Sequence, residues 1–598
     1  QGCLGVIIYN NVSGSISMSV GNNIGAVCSL AQDEGEILAS QPEGTIRISR
    51  SQEAGPFMSD FSSWGPTSDL KIKPEITGHG GEIYSSVPGQ EYDKLSGTSM
   101  AAPNVSGVTA LIRQYVKNEV APKGSTPTEI TAIVNRLLMS TADIIINKNG
   151  VAYAVRKQGA GLVNITKATA AEAYLVTYDR NGKEIDKTKL MDTTKLEIGD
   201  DKEKTGVYEM TFGIKALDTQ NVTYDVSALV NTEGVSTTYT KHSERTVTQD
   251  GYALEGGQKS FRITSVENGS YSGNKVTVEK GETATVTVKI TLSDEDKKYL
   301  DESFENGMYI EGFIKLTACD GTKVDLSVPF LGFYGDWTEA PIFDEEYYDT
   351  NKDELNAGVS EEDKLMPDAY ATRVIGSLYS DYISTLGTYR FTQNPSMPVI
   401  AASKEHITLS NQKASNERSN YSVCGIYSIN AGLLRNVKIA YLTITEDSTG
   451  NVVWNKTINN QRKSYNTGGS ITASPIEVKF DVSETDLKNN SKYTFRVETY
   501  IDQGENGDFA EQNNKRNVFE FPFTIDFEAP IITDVTYRTE FDDSTKKTTL
   551  YADLSVYDNH YAMALQPGVI TRSKEEGYLY SLDMFGQYLT PVYSSYNS

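Results

Sequence analysis

The stretch KLSGTSMAAPNVSG, Lys94 to Gly107, sets a serine between a glycine-threonine pair and an apolar run. A serine hydroxyl attacks a carbonyl efficiently only when a base takes its proton and fixed donors stabilise the oxyanion that forms. A place at the start of a buried helix meets the second need. There the first-turn N–H groups lack acceptors and the positive end of the helix dipole faces the developing charge. Gly97 permits a tight approach ahead of Ser99, and Ala101 and Ala102 are small enough for a crowded site. Pro103 is read as lying in the first turn, which sets the helix start close to Ser99. The same serine would also serve as an ordinary helix N-cap. Gly-Thr-Ser alone does not separate the two readings.

The elements that must hold this serine follow from hydrophobic period. Only residues 99–170 read as clearly helical. Val105, Val108, Leu111, Ile112, Tyr115 and Val116 recur at helical spacing. A second helix opens at Thr126-Pro127-Thr128-Glu129, a capping box with proline at the first helical position. Ile130, Ile133, Val134, Leu137 and Leu138 then form its apolar stripe. Beyond Ala170 the period changes to two. In GVYEMTFGIK, Tyr208, Met210, Phe212 and Ile214 share one face, with Glu209, Thr211 and Lys215 on the other. In TATVTVKITL, Ala284, Val286, Val288, Ile290 and Leu292 alternate with Thr285, Thr287, Lys289 and Thr291. Half-buried strands divided by Gly/Asp/Asn turns indicate antiparallel sandwiches.

VDLSVPFLGFYGDW closes the first sandwich, and the acidic stretch Asp344 to Asp353 reads as a linker. LTITEDSTGNVVWNKTI is a hairpin turning at Asp447 to Asn451, and a further boundary falls near Ala529-Pro530.

The chain has 598 residues, too many for one core, and its 38% hydrophobic and 23% charged content is that of a folded, soluble protein. A net charge of −25 repels phosphate backbones and anionic lipid heads, so nucleic acid is a poor partner. Cys3, Cys28, Cys319 and Cys424 form no metal pattern with the 4 histidines. Cys3 and Cys28 pair only if adjacent strands bring them together, which geometry decides. No run of about 18 apolar residues marks a membrane helix. QGCLGVIIYNN opens in a buried-strand pattern without a signal peptide and PVYSSYNS carries no anchor, so a piece of a longer protein is expected.

Other constellations are weaker. IDQGENGDFAEQNN, Ile501 to Asn514, is rich in oxygen ligands, but Gly504 stands where a twelve-residue calcium loop needs one. A solvated turn is expected, and structural calcium stays open. The 36 tyrosines follow from strand propensity. Asn104-Val105-Ser106 lies in the helix after the serine and is no glycan site there. His242, His406 and His560 fall in strands or turns, and Asn10, Asn11, Asn22 and Asn23 are turn residues.

GTSMAAPNVSG resembles the nucleophile motif of the subtilases, the subtilisin-like serine peptidases, whose Gly-Thr-Ser-Met-Ala-x-Pro core matches Gly97 to Pro103. The resemblance implies that Ser99 is the nucleophile and its backbone N–H part of the oxyanion hole, framed by Gly97, Thr98, Met100 and Pro103. FSSWGP at Phe61 to Pro66, KPEI at Lys73 to Ile76, LLMSTA at Leu137 to Ala142 and QGAGLVN at Gln158 to Asn164 resemble further family segments in the same order. A nearer likeness is to large cell-envelope subtilases of Gram-positive bacteria, the lactocepin and complement-anaphylatoxin peptidase group. In that group a protease-associated domain precedes the nucleophile segment and fibronectin type III-like sandwiches follow it.

The family's triad runs Asp, His, Ser along the chain. No Asp-Thr-Gly or His-Gly-Thr-His signature stands before Ser99. His79, in ITGHGG, replaces the family's alanine-proline-glycine turn and is expected to be structural. The oxyanion asparagine is also missing. In subtilisin, loss of serine or histidine costs about two-million-fold in kcat, so this chain alone is expected to be inactive. The partners would lie on a separate chain or an omitted segment; an isolated fragment and an inactive relative are the alternatives.

The expected fold is therefore multidomain: the C-terminal part of an α/β subtilisin-like peptidase domain, then antiparallel β-sandwiches. Residues 1–50 would be the rear of a protease-associated domain, 51–170 the nucleophile-bearing part, 171–342 a fibronectin type III-like sandwich, 343–527 a further sandwich region and 528–598 an incomplete one. The expected function is an extracellular, secreted or wall-attached endopeptidase that cleaves protein or peptide substrates through an acyl-enzyme on Ser99. It would need the missing N-terminal half of the peptidase domain and neither metal nor cofactor. A non-catalytic surface adhesion or binding protein built from the same sandwiches is the competing expectation.

Overall fold

The computed structural model describes residues 5–9, 26–30, 32–40, 55–181, 184–239, 244–247, 251–343, 346–348, 372–379, 382–389, 401–411, 423–467, 470–472, 474–502, 517–528, 531–557, 559–560, 569–572, 579–582 and 589–591. They belong to two compact units, Gln1–Pro56 and Phe57–Ser598.

In the first unit β1 (Gly5–Tyr9) lies parallel to β2 (Ala26–Leu30), with Ile7 opposite Cys28, and α1 (Gln32–Ala39) follows. Gly35 of α1 packs flush on Tyr9, where a Cβ would overlap the ring. Cys3, Asn10, Asn11, Asn22 and Asn23 lie outside the described residues, and with them the Cys3–Cys28 pairing.

In the second unit the hairpin β3 (Ile83–Val87) and β4 (Glu91–Leu95) leads into α2 (Thr98–Tyr115), followed by α3 (Pro127–Ser140), α4 (Val155–Gln158) and α5 (Ile165–Ala170). The capping box of α3 forms as expected. The Thr126 hydroxyl accepts the Glu129 N–H at 3.3 Å and the Glu129 carboxylate accepts the Thr126 N–H at 2.7 Å. All five residues of the apolar stripe of α3 are buried.

The first sandwich packs two sheets. One runs, by residue range, 270–272, 275–278, 222–233, 308–319, 326–334, 196–201, with 251–253 attached to 222–233; the other runs 262–267, 283–291, 207–216, 173–176. Phe212 lies opposite Val286, and the alternating set Tyr208, Met210, Phe212, Ile214, Ala284, Val286, Val288 and Ile290 is buried. Thr211, expected on the open face, is buried as well, its hydroxyl 3.1 Å from that of its cross-strand partner Thr287. Cross-strand hydroxyl pairing satisfies both groups and lets the strand be covered on both faces.

The helical region extends beyond residues 99–170. Helices also form at Glu255–Ser260 and Asp294–Ser303. The second starts on a capping box in which Ser293 accepts from Asp296 and Asp296 accepts from Ser293. Strand periodicity on both sides hides that signal.

A second sandwich pairs the sheet 382–385, 373–379, 425–431, 474–481 with the sheet 408–409, 518–525, 492–500, 437–446, 452–461. The hairpin at Asp447 to Asn451 forms, with Gly450 at φ 72° and its N–H 2.8 Å from the Glu446 carbonyl. Strand Val518–Ile525 is the last of that sheet along the chain, and a separate hairpin, Ile531–Asp542 with Lys547–Tyr557, follows it. Ala529, Pro530, His242, most of Asp344 to Asp353 and all but the first two residues of the Ile501 to Asn514 loop lie outside the described residues. Among the described residues no helix is long and apolar enough to cross a membrane.

Burial holds the phenols of Tyr208, Tyr224 and Tyr348 above their ordinary value near 10 and lifts that of Tyr334 to about 12. Unfolded, these phenols ionise near pH 10. Their stabilising contribution is therefore intact below about pH 10 and is lost as pH rises above it. On alkaline titration the last phenolate absorbance should appear together with the loss of near-UV circular dichroism. Complete ionisation before that loss would contradict the burial of these tyrosines.

Candidate active site

Ser99 is the second residue of α2, not its cap. Gly97 is the N-cap and no side chain caps the helix, so the ordinary serine-cap reading does not apply. The Met100 and Ala101 N–H groups turn back to the Gly97 carbonyl at 3.0 and 3.3 Å, and the Gly97 N–H donates to the Gly80 carbonyl at 2.8 Å. Thr98 and Ser99 have no intrahelical acceptor by position, which leaves two adjacent N–H groups at the positive end of an 18-residue helix. That arrangement suits a developing oxyanion.

Two sequence expectations are corrected here. Pro103 is the sixth residue of α2, in its second turn rather than its first. Its absent N–H would have bonded the Ser99 carbonyl four residues back, so the ring frees that carbonyl from the helical ladder. Nor is α2 buried as a whole. Ile112 and, at the helix end, the C-cap Val116 are fully covered, Val105, Val108 and Tyr115 pack partly against the core, and Leu111 is 55% exposed. α3 and α5 pack against α2, and Ser99 itself is exposed.

The loop Thr77–Gly81 lies against the first turns of α2. A Cβ on Gly80 would stand 2.8 Å from the Gly97 carbonyl oxygen and 3.1 Å from Ala101 Cβ; one on Gly78 would stand 2.6 Å from Val105 Cγ2. His79 sits between them, exposed, its backbone N–H donating to Asn104 Oδ1 at 3.3 Å. Its neighbourhood is that of a loop residue holding the helix.

QGAGLVN is tied to the segment that leads into this loop, through the Ala160 N–H on the Glu75 carbonyl and the Thr77 N–H on the Gly161 carbonyl. Gln158 is buried, accepting the Ile145 N–H at 2.7 Å and donating to the Tyr153 carbonyl at 2.7 Å. Gly159 has φ 63° and presses on Glu75, where a Cβ would be 2.4 Å from the backbone; only glycine fits. Asn164 caps α5 by accepting the Lys167 N–H at 3.0 Å. The motif segments that were separate in sequence, KPEI, GHGG, GTSMAAP and QGAGLVN, are thus one hydrogen-bonded frame. His406 and His560 lie in the second sandwich and beyond it, His560 Nε2 3.0 Å from Asn490 Oδ1. Among the described residues no group of three or more His, Cys, Asp or Glu could hold a metal ion.

Sequence reasoning missed Arg156. Its partners Glu233 and Glu311 lie 77 and 155 residues away, and no local pattern announces them.

The structure thus holds a serine at the start of a helix, framed by glycine-rich loops and joined to a β-sandwich. The comparisons place it further: residues 13–161 match the Subtilase family and residues 196–331 an Fn3-like domain. The chain carries a subtilase-family segment followed by an Fn3-like domain, as the motif resemblance implied. It is similar to the PII-type proteinase of Lactococcus lactis subsp. cremoris, 26% identical over 526 residues, 84% of this chain and 24% of the relative. It is also similar to the C5a peptidase of Streptococcus pyogenes serotype M6, 30% identical over 370 residues, 59% of this chain and 28% of the relative. The chain therefore spans about a quarter of the length of these relatives. Among solved structures, the class 5 fimbriae chaperone CfaA aligns over 55% of this chain and 96% of its own at 8% identity, with a TM-score of 0.18 too low to carry a fold assignment.

The glycine contacts give a paired expectation. Gly80→Ala forces loop and helix apart and should cost about 1–3 kcal/mol. Gly107, inside α2, has open space around its Cβ position, so Gly107→Ala should be neutral or stabilise by up to about 1 kcal/mol. Urea denaturation of both variants checks this; equal effects would contradict the loop contact.

Proposed function

We propose that this chain is the nucleophile-bearing part of a subtilisin-like serine endopeptidase. The observation that carries the reading is Ser99 at the second position of α2, exposed, uncapped and beside the unpaired N–H groups of Thr98 and its own. In the working enzyme the Ser99 Oγ attacks the scissile carbonyl and its proton passes to a histidine oriented by an aspartate. The tetrahedral oxyanion is held by the Ser99 N–H. Collapse breaks the C–N bond, the amine leaves with the proton, and water then hydrolyses the acyl ester and restores the hydroxyl.

Histidine, aspartate and the oxyanion asparagine would come from the N-terminal half of the peptidase domain, so this chain by itself is inactive. The names of its relatives, a proteinase and a peptidase, support protein or peptide substrates. The same relatives support an extracellular, secreted or wall-attached setting. Residues 1–50 are proposed as the rear of a protease-associated domain, 51–170 as the nucleophile-bearing part, 171–342 and 343–527 as sandwiches that space the site and dock substrates, and 528–598 as an incomplete unit. The chemistry uses no cofactor.

The test is a fluorophosphonate probe followed by intact mass. The chain alone should remain unlabelled, and addition of a polypeptide supplying the missing half should give one adduct, on Ser99, that Ser99→Ala abolishes. Failure to label under any complementation would instead favour a non-catalytic binding protein.

A further inference from the structure

We propose that Arg156 is a positioning residue through which the first sandwich sets the geometry of the Ser99 turn. The inference rests on the peptidase reading of Ser99. Arg156 lies on α4 and is buried, as are Glu233 and Glu311 of the sandwich. Its backbone N–H donates to Glu311 Oε2 at 3.0 Å, its Nε and Nη2 donate to Glu311 Oε1 at 3.2 and 3.0 Å, and its Nη2 also donates to Glu233. The guanidinium stacks 3.7 Å above the Tyr309 ring of the sandwich and 5.5 Å from the Trp64 ring of FSSWGP. A planar cation shared by two carboxylates and two rings has little orientational freedom. The backbone of residue 156 is therefore fixed by the sandwich.

From Arg156 the constraint reaches Ser99 through backbone contacts. The Arg156 carbonyl accepts the Gly65 N–H at 2.8 Å. Two residues on, the Gln158 carbonyl accepts the Thr77 hydroxyl at 2.9 Å, the Gly161 carbonyl accepts the Thr77 N–H at 2.8 Å, and the Ala160 N–H donates to Glu75 at 2.9 Å. Thr77 begins the loop whose Gly80 carbonyl takes the Gly97 N–H. The sandwich also grips the preceding segment: Glu197 accepts the Ile72 N–H at 3.0 Å, and Lys195 lies 2.9 Å from Glu197 and 3.8 Å from Glu75. Sandwich, QGAG turn, His79 loop and nucleophile turn form one continuous path. A sandwich that served only as a spacer would have no use for a buried ion triad at the base of that path.

The test is hydrogen–deuterium exchange on the full chain, read at the amides of Thr77, Gly97, Met100 and Ala101. Arg156→Lys keeps the charge but cannot reproduce the fork, and Glu233→Gln removes one partner while leaving Glu311 in place. Val286→Ala, a sandwich-core truncation that takes no part in the hydrogen-bonded path, is the comparison, with conditions adjusted so that all variants are equally far from their urea midpoints. Arg156→Lys should exchange about tenfold faster at these amides, and Glu233→Gln severalfold, with Val286→Ala unchanged there. Should Arg156→Lys not fold, Glu233→Gln decides alone. Unchanged exchange in the Arg156 and Glu233 variants, or an equal rise in Val286→Ala, overturns the proposal. Because this readout needs no reaction at Ser99, a failure of probe labelling bears on the peptidase reading alone.

Discussion

The apolar core does not stop where the helices end. Ile112 of α2, Val116 just past its end and Ile130, Val134 and Leu137 of α3 belong to the same buried cluster as Leu175, Phe212, Val226, Val286 and Phe330 of the first sandwich. Each such side chain contributes about 1.5–3 kcal/mol on burial. Separating helices from sandwich would expose several at once. The boundary between the subtilase-family segment and the Fn3-like domain is thus a change in secondary structure within one core, not a hinge between two bodies.

Polar contacts give that core its register. The Ser140 hydroxyl of α3 accepts the Leu175 N–H at 2.9 Å, and the Arg136 guanidinium donates to the Met191 carbonyl at 2.9 and 2.6 Å. Buried hydrogen bonds of this kind add little net energy but are costly to leave unmade, so they select one arrangement among those the apolar surfaces would allow. Trp337 extends the junction to the second sandwich. Its indole N–H donates to the Ser68 carbonyl at 2.9 Å, its ring meets Tyr309 and Phe333, and the half-buried Arg435 guanidinium stacks on it at 3.9 Å. Burial lowers the Arg435 pKa to about 10, which still leaves it cationic at neutral pH and suited to an aromatic partner.

The Ser99 turn stands at the edge of this body. One side of α2 joins the core and the other, with Leu111 and Ser99, is open. Ser99 stands beside a helix terminus and free amides, the electrostatic half of what acyl transfer requires; in the proposed reading the proton-transfer half comes from the N-terminal half of the peptidase domain. Preorganised donors act through geometry and need no partner side chain. A general base must sit within hydrogen-bond reach of the hydroxyl, and the nearest histidine along the chain, His79, is held by its backbone as part of the loop that supports the helix.

The sequence by itself determined whatever depends on neighbours a few residues apart: the capping box at Thr126, the buried stripe of α3, the alternating strands at 207–216 and 283–291, and the hairpin at Asp447 to Asn451. Helical and extended backbones impose periods of about 3.6 and 2 on side chains, so these elements announce themselves locally. The motif around Ser99 was legible because backbone approach and helix entry restrict residue type over a short run. Only the tertiary structure decided that Gly97 and not Ser99 caps α2, that Pro103 falls in the second turn, that α2 keeps an open side, and that Thr211 is covered. It also decided that Arg156 meets two carboxylates 77 and 155 residues away. Burial and ion pairing depend on which distant surfaces meet, and chain separation carries no record of that distance in space.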